Sequence, residues 1–171
     1  MRLFFLAFVF STLTAMQASA GCGICSGKDK TTHIEFSAGI FDVIDDDEAA
    51  SFNLEYQHHD KLIYDGLRPV AGLMATSNNA TYAYVGARWE LMIDDASRWM
   101  LAPNVAVGAY SQGDNETDLG HAIQFRTGIE LGYVLDDNSR ISLDFSHLSN
   151  AGIGDSNPGT EVLQLGYALP F

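Results

Sequence analysis

From residue 30 to the end of the chain, apolar residues recur at every second position, and the positions between them carry charges, amides and glycines. That period puts successive side chains on opposite faces of an extended strand; a helix would need apolar residues three and four apart. Residues 32–42 set Ile34, Phe36, Ala38 and Ile40 against Glu35, Ser37 and Gly39, and residues 51–57 set Phe52, Leu54 and Tyr56 against Asn53, Glu55 and Gln57. The stretch from Gln124 to Leu135 sets Phe125, Ile129, Leu131, Tyr133 and Leu135 against Gln124, Arg126, Gly128, Glu130 and Gly132. Further strands over 67–76, 81–92, 98–110, 139–148 and 161–171 bring the total to eight. Segment 67–76 is apolar on both phases and contains Pro69, so its facing stays open.

A chain of 171 residues suits one domain. Its first twenty residues stand apart from the pattern. Arg2, an apolar core from Leu3 to Leu13 and the small residues Ala18-Ser19-Ala20 describe a secretory signal peptide cut after Ala20; the core is too short to span a bilayer. The expected organisation is a signal at 1–20, an N-terminal segment at 21–31 and a barrel at 32–171. Cys22 and Cys25 fall in the middle segment. They are read either as a small disulfide loop in an oxidising compartment or, from Ser19-Ala20-Gly21-Cys22, as a lipid-anchoring detail. A thioredoxin-like role lacks its βαβ context, and a zinc site needs more ligands than the pair supplies.

Nine Lys and Arg against twenty-two Asp and Glu give a net charge of −13, with the cations scattered singly. Such a surface does not bind a phosphate backbone, so nucleic acid is excluded as a partner.

Alternation alone does not choose between a soluble barrel, greasy inside, and an outer-membrane barrel, greasy outside. Three features favour the second. Phe171 is preceded at two-residue steps by Leu169, Tyr167, Leu165 and Leu163, like the terminal strand of outer-membrane barrels. Tight turns at Asp94-Asp95-Ala96 and Asp136-Asp137-Asn138 contrast with longer connections at 43–50, 111–119 and 149–160. With the N-terminus in the periplasm and strands running alternately up and down, Tyr56, Trp89, Trp99, Tyr133, Tyr167 and Phe171 all fall at the periplasmic end, as an interfacial girdle. The lumen then receives Glu55, Arg88, Glu90, Arg126, Glu130, Arg140 and Asp144, which can pair in a space too narrow for a pore. The predicted fold is an all-β, eight-stranded antiparallel transmembrane up-and-down β-barrel.

Face parity also gives the last hairpin its meaning. Ile141, Leu143 and Phe145 define the lipid-facing phase of the seventh strand, and His147 and Ser149 continue it; on the eighth, Glu161 shares the phase of Leu163, Leu165 and Tyr167. Setting 147 opposite 161 pairs Phe145 with Leu163, Leu143 with Leu165 and Ile141 with Tyr167, so every pair matches in face. Alternate residues on a strand face lie roughly 7 Å apart, within reach of an imidazole. His147 would then stand between a hydroxyl nucleophile and an orienting carboxylate, the logic of a Ser-His-acid triad. The plainer alternative is a set of polar rim residues meeting lipid head groups.

The sequence His147-Leu148-Ser149-Asn150, followed by Asn157-Pro158-Gly159-Thr160-Glu161, resembles the PagL-type lipid A 3-O-deacylase family of outer-membrane barrels. Asp118-Leu119-Gly120 and Gln124-Phe125-Arg126 are also similar to it, although an acidic residue is frequent where Gln124 stands. The resemblance is densest from residue 118 onward and looser back to the first strand. It implies Ser149 as nucleophile, His147 as base and Glu161 as orienting acid, with Asn150 and Asn157 ordering the site or binding the oxyanion. It further implies hydrolysis of the ester-linked 3-hydroxyacyl chain at the 3-position of lipid A through an acyl-enzyme. The expected partner is lipopolysaccharide in the outer leaflet of the cell outer membrane, the site facing that leaflet, without metal or organic cofactor; a homodimer is compatible with the sequence. Rival readings are a small structural or adhesive barrel and an outer-membrane phospholipase.

The remaining candidates are weaker. His58-His59 falls in a predicted periplasmic turn with no third ligand evident, and reads as a solvated pair rather than a metal site. His33 and His121 begin strands without evident partners, and Asp45-Asp46-Asp47-Glu48 reads as a solvated acidic loop on the outer side.

Overall fold

Strands that cross a bilayer must pair every backbone amide within the protein, and closing the sheet on itself is how a β-structure meets that demand. The computed structural model describes residues 25–26, 30–44, 48–114 and 118–171 and contains this closure. Its strands are β1 (Cys25–Ser26), β2 (His33–Phe41), β3 (Ala49–Gln57), β4 (Leu67–Thr76), β5 (Thr81–Trp89), β6 (Leu91–Met92), β7 (Trp99–Ser111), β8 (Ile123–Val134), β9 (Arg140–Ser149) and β10 (Thr160–Pro170). β5 and β6 form one stave interrupted at Glu90, since both pair with β7 in a single register. Eight antiparallel staves result, each paired with its chain neighbours, and β10 closes the barrel on β2 with Leu165 opposite Ala38 and Tyr167 opposite Phe36. β1 is a two-residue addition beside β6. The expected signal peptide and Cys22 lie outside the described residues, as do residues 45–47 of the acidic run.

The greasy face is the outer face. Phe36, Phe52, Leu54, Leu73, Val85, Val105, Leu131, Leu143 and Leu165 are exposed, while Glu35, Glu55, Arg88, Glu90, Arg126, Glu130, Arg140 and Asp144 are buried. β4, whose facing the sequence left open, turns Arg68, Val70 and Met74 inward and Leu73 outward. Pro69 is tolerated because β3 ends at Gln57, opposite Val70, one residue before the missing N–H would be needed. The Pro69 carbonyl still accepts from the His58 amide at 3.1 Å.

The lumen is filled in three layers. At the end where β2 and β9 finish, Phe41, Met74, Tyr82, Tyr84, Tyr110, Leu148 and Val162 form an apolar plug. Below it lies an ionic belt. Arg88 meets Glu130 at 2.8 Å and stands 3.7–3.9 Å from Glu55, Glu90 and Glu35. Arg140 holds Glu90 at 2.7 Å, and Arg126 holds Asp144 at 2.8 Å. Met92, Met100 and Ala102 make a smaller apolar cluster near the opposite end. Among the described residues, the lumen is thus lined inward by packed and ion-paired side chains along its length.

Tyr56, Trp99, Tyr167 and Phe171 are exposed at one end of the barrel, with Trp89 and Tyr133 half-buried beside them. Trp99 and Tyr133 meet edge-on at 5.0 Å, and Tyr56 lies 6.1 Å from Phe171. The tight turns at this end are held by carboxylates: Asp94 accepts from the amides of Arg98 and Trp99, and Asp137 from that of Ser139. The alternation in loop length is imperfect. The connection 58–66 at the girdle end is long, and 77–80 at the opposite end is short.

The ionic belt makes a direct demand on stability. Removing one member leaves its partners charged and buried, at a cost of about 3–5 kcal/mol. Arg88→Met is expected to lower the denaturant midpoint of the detergent-folded barrel sharply, while Val85→Ala on the outer wall moves it far less. Equal effects would contradict the paired lumen.

Candidate active site

The pairing of β9 with β10 sets Glu161 opposite His147, Leu163 opposite Phe145, Leu165 opposite Leu143 and Tyr167 opposite Ile141. Both flanks of this pair are anchored from inside the barrel. Leu148 is buried in the apolar plug, which turns its neighbours His147 and Ser149 to the outer phase. Thr160 donates its hydroxyl to Asp42 at 2.8 Å, while the Glu161 carbonyl accepts from the Val43 amide at 3.1 Å. Glu161, the second residue of β10, is therefore held in a fixed position with its side chain on the wall.

His147 Nδ1 lies 3.0 Å from Glu161 Oε1. The imidazole is 39% exposed and the carboxylate 23%, so the pair stands at the barrel surface, opened outward. With Nδ1 donating to the carboxylate, Nε2 carries the lone pair and is free to act as a base. Ser149 shares the strand face, lies opposite Phe125 of β8 and is only 7% exposed. Among the described residues its hydroxyl makes no hydrogen bond to His147. The structure thus holds the His–Glu half of the constellation together and leaves the Ser–His half unformed.

Gly159 packs beside His147, and the strand pattern did not single it out. Its φ of +74° lies in the left-handed region, and a Cβ there would sit 2.6 Å from His147 Cε1 and 3.1 Å from Nε2. The basic edge of the imidazole therefore lies against the bare backbone of Gly159. Its place in Asn157-Pro158-Gly159, two residues before the carboxylate, was the available signal.

Asn150 is fully buried and all its side-chain groups are engaged. Nδ2 donates to the carbonyls of Leu119 and Ser156 at 2.9 and 2.6 Å, and Oδ1 accepts from the Gly152 amide at 2.8 Å. Its backbone amide donates to Asn157 Oδ1 at 2.9 Å. Asn150 is thus the tie between the loop 150–159 and the loop before β8. Gln124 supports the same junction by donating Nε2 to the carbonyls of Leu119 and His121, which a carboxylate could not do. Asn157 is exposed, and among the described residues its Nδ2 is uncommitted.

The other histidines are dispersed. His33 is buried with Nε2 2.9 Å from the Asn138 carbonyl, and His121 accepts the Ile123 amide on Nδ1. His58 and His59 lie at the girdle end, far along the barrel from His147. Contrary to the sequence expectation they do have a third group at hand, because the turn folds the Asp60 carboxylate back against both rings. Glu48, the described member of the acidic run, is exposed.

Comparison with known proteins bears on this arrangement. A family model described as lipid A 3-O-deacylase (PagL) matches residues 45–170. A stretch of 53 residues is 47% identical to the lipid A deacylase PagL of Bordetella bronchiseptica, covering 31% of this chain and 30% of that relative's length. Among solved structures, the crystal structure of the outer membrane enzyme PagL superposes with a TM-score of 0.64 at 17% identity, over 81% of this chain and 99% of that one. A de novo designed transmembrane β-barrel gives 0.54 at 15% identity over 85% of this chain and 100% of the design. Neisserial surface protein A gives 0.50 at 12% over 90% and 100%. At these identities the superpositions speak for the fold.

Asn150→Ala would remove its bonds to the Leu119 and Ser156 carbonyls and from the Gly152 amide, each contributing about 0.5–1.5 kcal/mol. The expected outcome is faster amide hydrogen exchange across 150–159 and 118–122, with the strands still protected. Unchanged exchange in both loops would contradict this role.

Proposed function

Because the chain belongs to the lipid A 3-O-deacylase (PagL) family, we propose that it is an outer-membrane esterase that removes the 3-O-linked 3-hydroxyacyl chain of lipid A. The observation that carries the reading is the His147–Glu161 pair, 3.0 Å apart on the lipid-facing wall of a barrel whose lumen is filled. A polar pair on that wall is costly unless something polar meets it there. The ester bonds of lipid A lie at such a depth, at the junction of sugar and acyl chains. Lipopolysaccharide reaches the site by lateral diffusion in the outer leaflet, with the His147 end of the barrel outermost and the aromatic girdle towards the periplasm. Export to that membrane falls to residues 1–20 as a signal peptide.

The chemistry follows from the residues. His147 Nε2 takes the proton of Ser149 Oγ as that oxygen attacks the ester carbonyl, and Glu161 holds the imidazole in the required tautomer and stabilises the imidazolium. The tetrahedral intermediate collapses with loss of the sugar alkoxide, which takes the proton back from His147. The acyl-enzyme on Ser149 is then hydrolysed by a water deprotonated in the same way. Ser149 and His147 must approach each other for the first step, and active sites without substrate commonly hold such contacts long. A side chain at position 159 would push on the Cε1–Nε2 edge of the imidazole, so the glycine lets the ring keep the place from which this approach starts. Asn150 is fully engaged in tying loops, so we assign the oxyanion contact to Asn157 Nδ2 and a positioning role to Asn150.

Purified protein in detergent, incubated with lipopolysaccharide, is expected to release one 3-hydroxyacyl chain, seen by mass spectrometry of lipid A, and to leave glycerophospholipids intact. Ser149→Ala should abolish the release, and Glu161→Gln should lower kcat by up to about 10⁴-fold. Full activity in Ser149→Ala would overturn the mechanism, and preference for glycerophospholipid would overturn the substrate. Gly159→Ala should cut activity while the barrel keeps its folded migration on gels, because the added methyl displaces the His147 ring.

A further inference from the structure

The longest connection at the girdle end begins with three metal-ligating side chains in sequence. We propose that His58, His59 and Asp60 form a binding site for one divalent transition ion of the zinc class at that rim of the barrel. Among the described residues, this is the group of His, Cys, Asp and Glu whose ligand atoms gather within 4.8 Å of one another.

The spacing suits an ion. His58 Nε2 lies 3.2 Å from Asp60 Oδ2, and His59 Nε2 lies 3.4 Å from Oδ1. Tetrahedral zinc, with bonds of 2.0–2.1 Å, sets neighbouring ligand atoms about 3.3 Å apart. An ion seated among the three needs little movement of the side chains. On a regular strand adjacent residues point to opposite faces, but β3 has ended at Gln57, and the turn brings the two rings to 4.6 Å between centroids, tilted by 50°.

The atoms behind the rings give a second, independent indication. His58 Nδ1 stands 3.0 Å from the Tyr56 hydroxyl, and His59 Nδ1 stands 2.7 Å from Thr32 Oγ1. Each hydroxyl can accept an Nδ1–H, which fixes the tautomer with the Nε2 lone pair free and aimed towards Asp60. Ligating histidines are held in this way by an outer partner on the other nitrogen. Two imidazoles and one carboxylate favour zinc and its neighbours over calcium or magnesium, which prefer all-oxygen sets. The side chains are 35%, 38% and 74% exposed, so an ion can enter from the aqueous side and keep water in its remaining position. Thr32 precedes β2 and Tyr56 lies in β3, so a bound ion would pin the 58–66 turn to the base of two staves. Its consequence is stability of the folded barrel, since the unfolded chain offers no such cage. The site is separate from His147 and takes no part in ester hydrolysis.

The test is zinc binding to the folded, detergent-solubilised barrel after chelator treatment, with Cys22→Ser and Cys25→Ser in the background so that thiols contribute nothing. Calorimetric titration with ZnCl₂ should give one ion per chain. Binding should vanish in His58→Ala/His59→Ala and weaken at least about tenfold in Asp60→Asn. Thr32→Val and Tyr56→Phe keep all three ligands and should each weaken it by about ten- to hundredfold. His121→Ala, at the far end of the barrel, should bind as the parent does. Absence of stoichiometric zinc uptake in the parent, or uptake that survives the double histidine variant, would overturn the site. Should the double variant fail to fold, undiminished binding in both Thr32→Val and Tyr56→Phe would overturn it.

Discussion

Register between neighbouring strands is the constraint on which the rest of this protein depends. In a closed barrel with lipid outside and a lumen inside, a slip of one residue would carry every side chain of a strand to the wrong face. On β9 the slip would put Asp144 into hydrocarbon and Phe145 among Arg88, Arg126 and Glu130. The membrane therefore enforces the pairing of Leu143 with Leu165 and of Phe145 with Leu163 more strongly than any local propensity could. The next step along that ladder is His147 opposite Glu161. The geometry that places an imidazole against a carboxylate at 3.0 Å is a continuation of the geometry that keeps the barrel in its bilayer.

The lumen has the complementary role. Its arginines and carboxylates are expensive to bury and hold together because each charge has a partner, with Arg88 facing four carboxylates at once. The plug of Phe41, Tyr82, Leu148 and Val162 closes the end next to the candidate site. Rigid filling gives the outer wall a firm backing: Leu148 is locked in that plug between His147 and Ser149, and Thr160 is locked to Asp42 beside Glu161. Residues that touch no substrate thus hold those that would.

Much of this could be read from the sequence. The eight staves and the 147–161 register follow from period two and from matching pairs by face, and the outward facing of the greasy phase, with charges in the lumen, follows once the terminal strand and the aromatic girdle are added. What escaped the sequence lies where side chains bond to backbone or where the chain leaves the strand. Segment 67–76 was ambiguous because Val70 and Leu73 are equally apolar, and only the burial of Arg68 and Met74 settles which side faces in. Gly159 stood in the motif, but its role did not show there because it is a space beside the His147 ring, and the role of Asn150 depends on a carbonyl of Leu119, thirty-one residues earlier. Asp60 was not recognised as a third group because the sequence places these residues in a turn without fixing its path, and only the fold of the turn brings the Asp60 carboxylate back against both rings.

In the proposed mechanism Ser149 is a nucleophile activated by His147 on the lipid-facing wall. Peptide mapping after treatment of the folded protein with a fluorophosphonate probe tests it most directly. One phosphonylated serine is expected, Ser149, with labelling lost in His147→Ala; labelling at another serine, or at Ser149 regardless of His147, would contradict this mechanism.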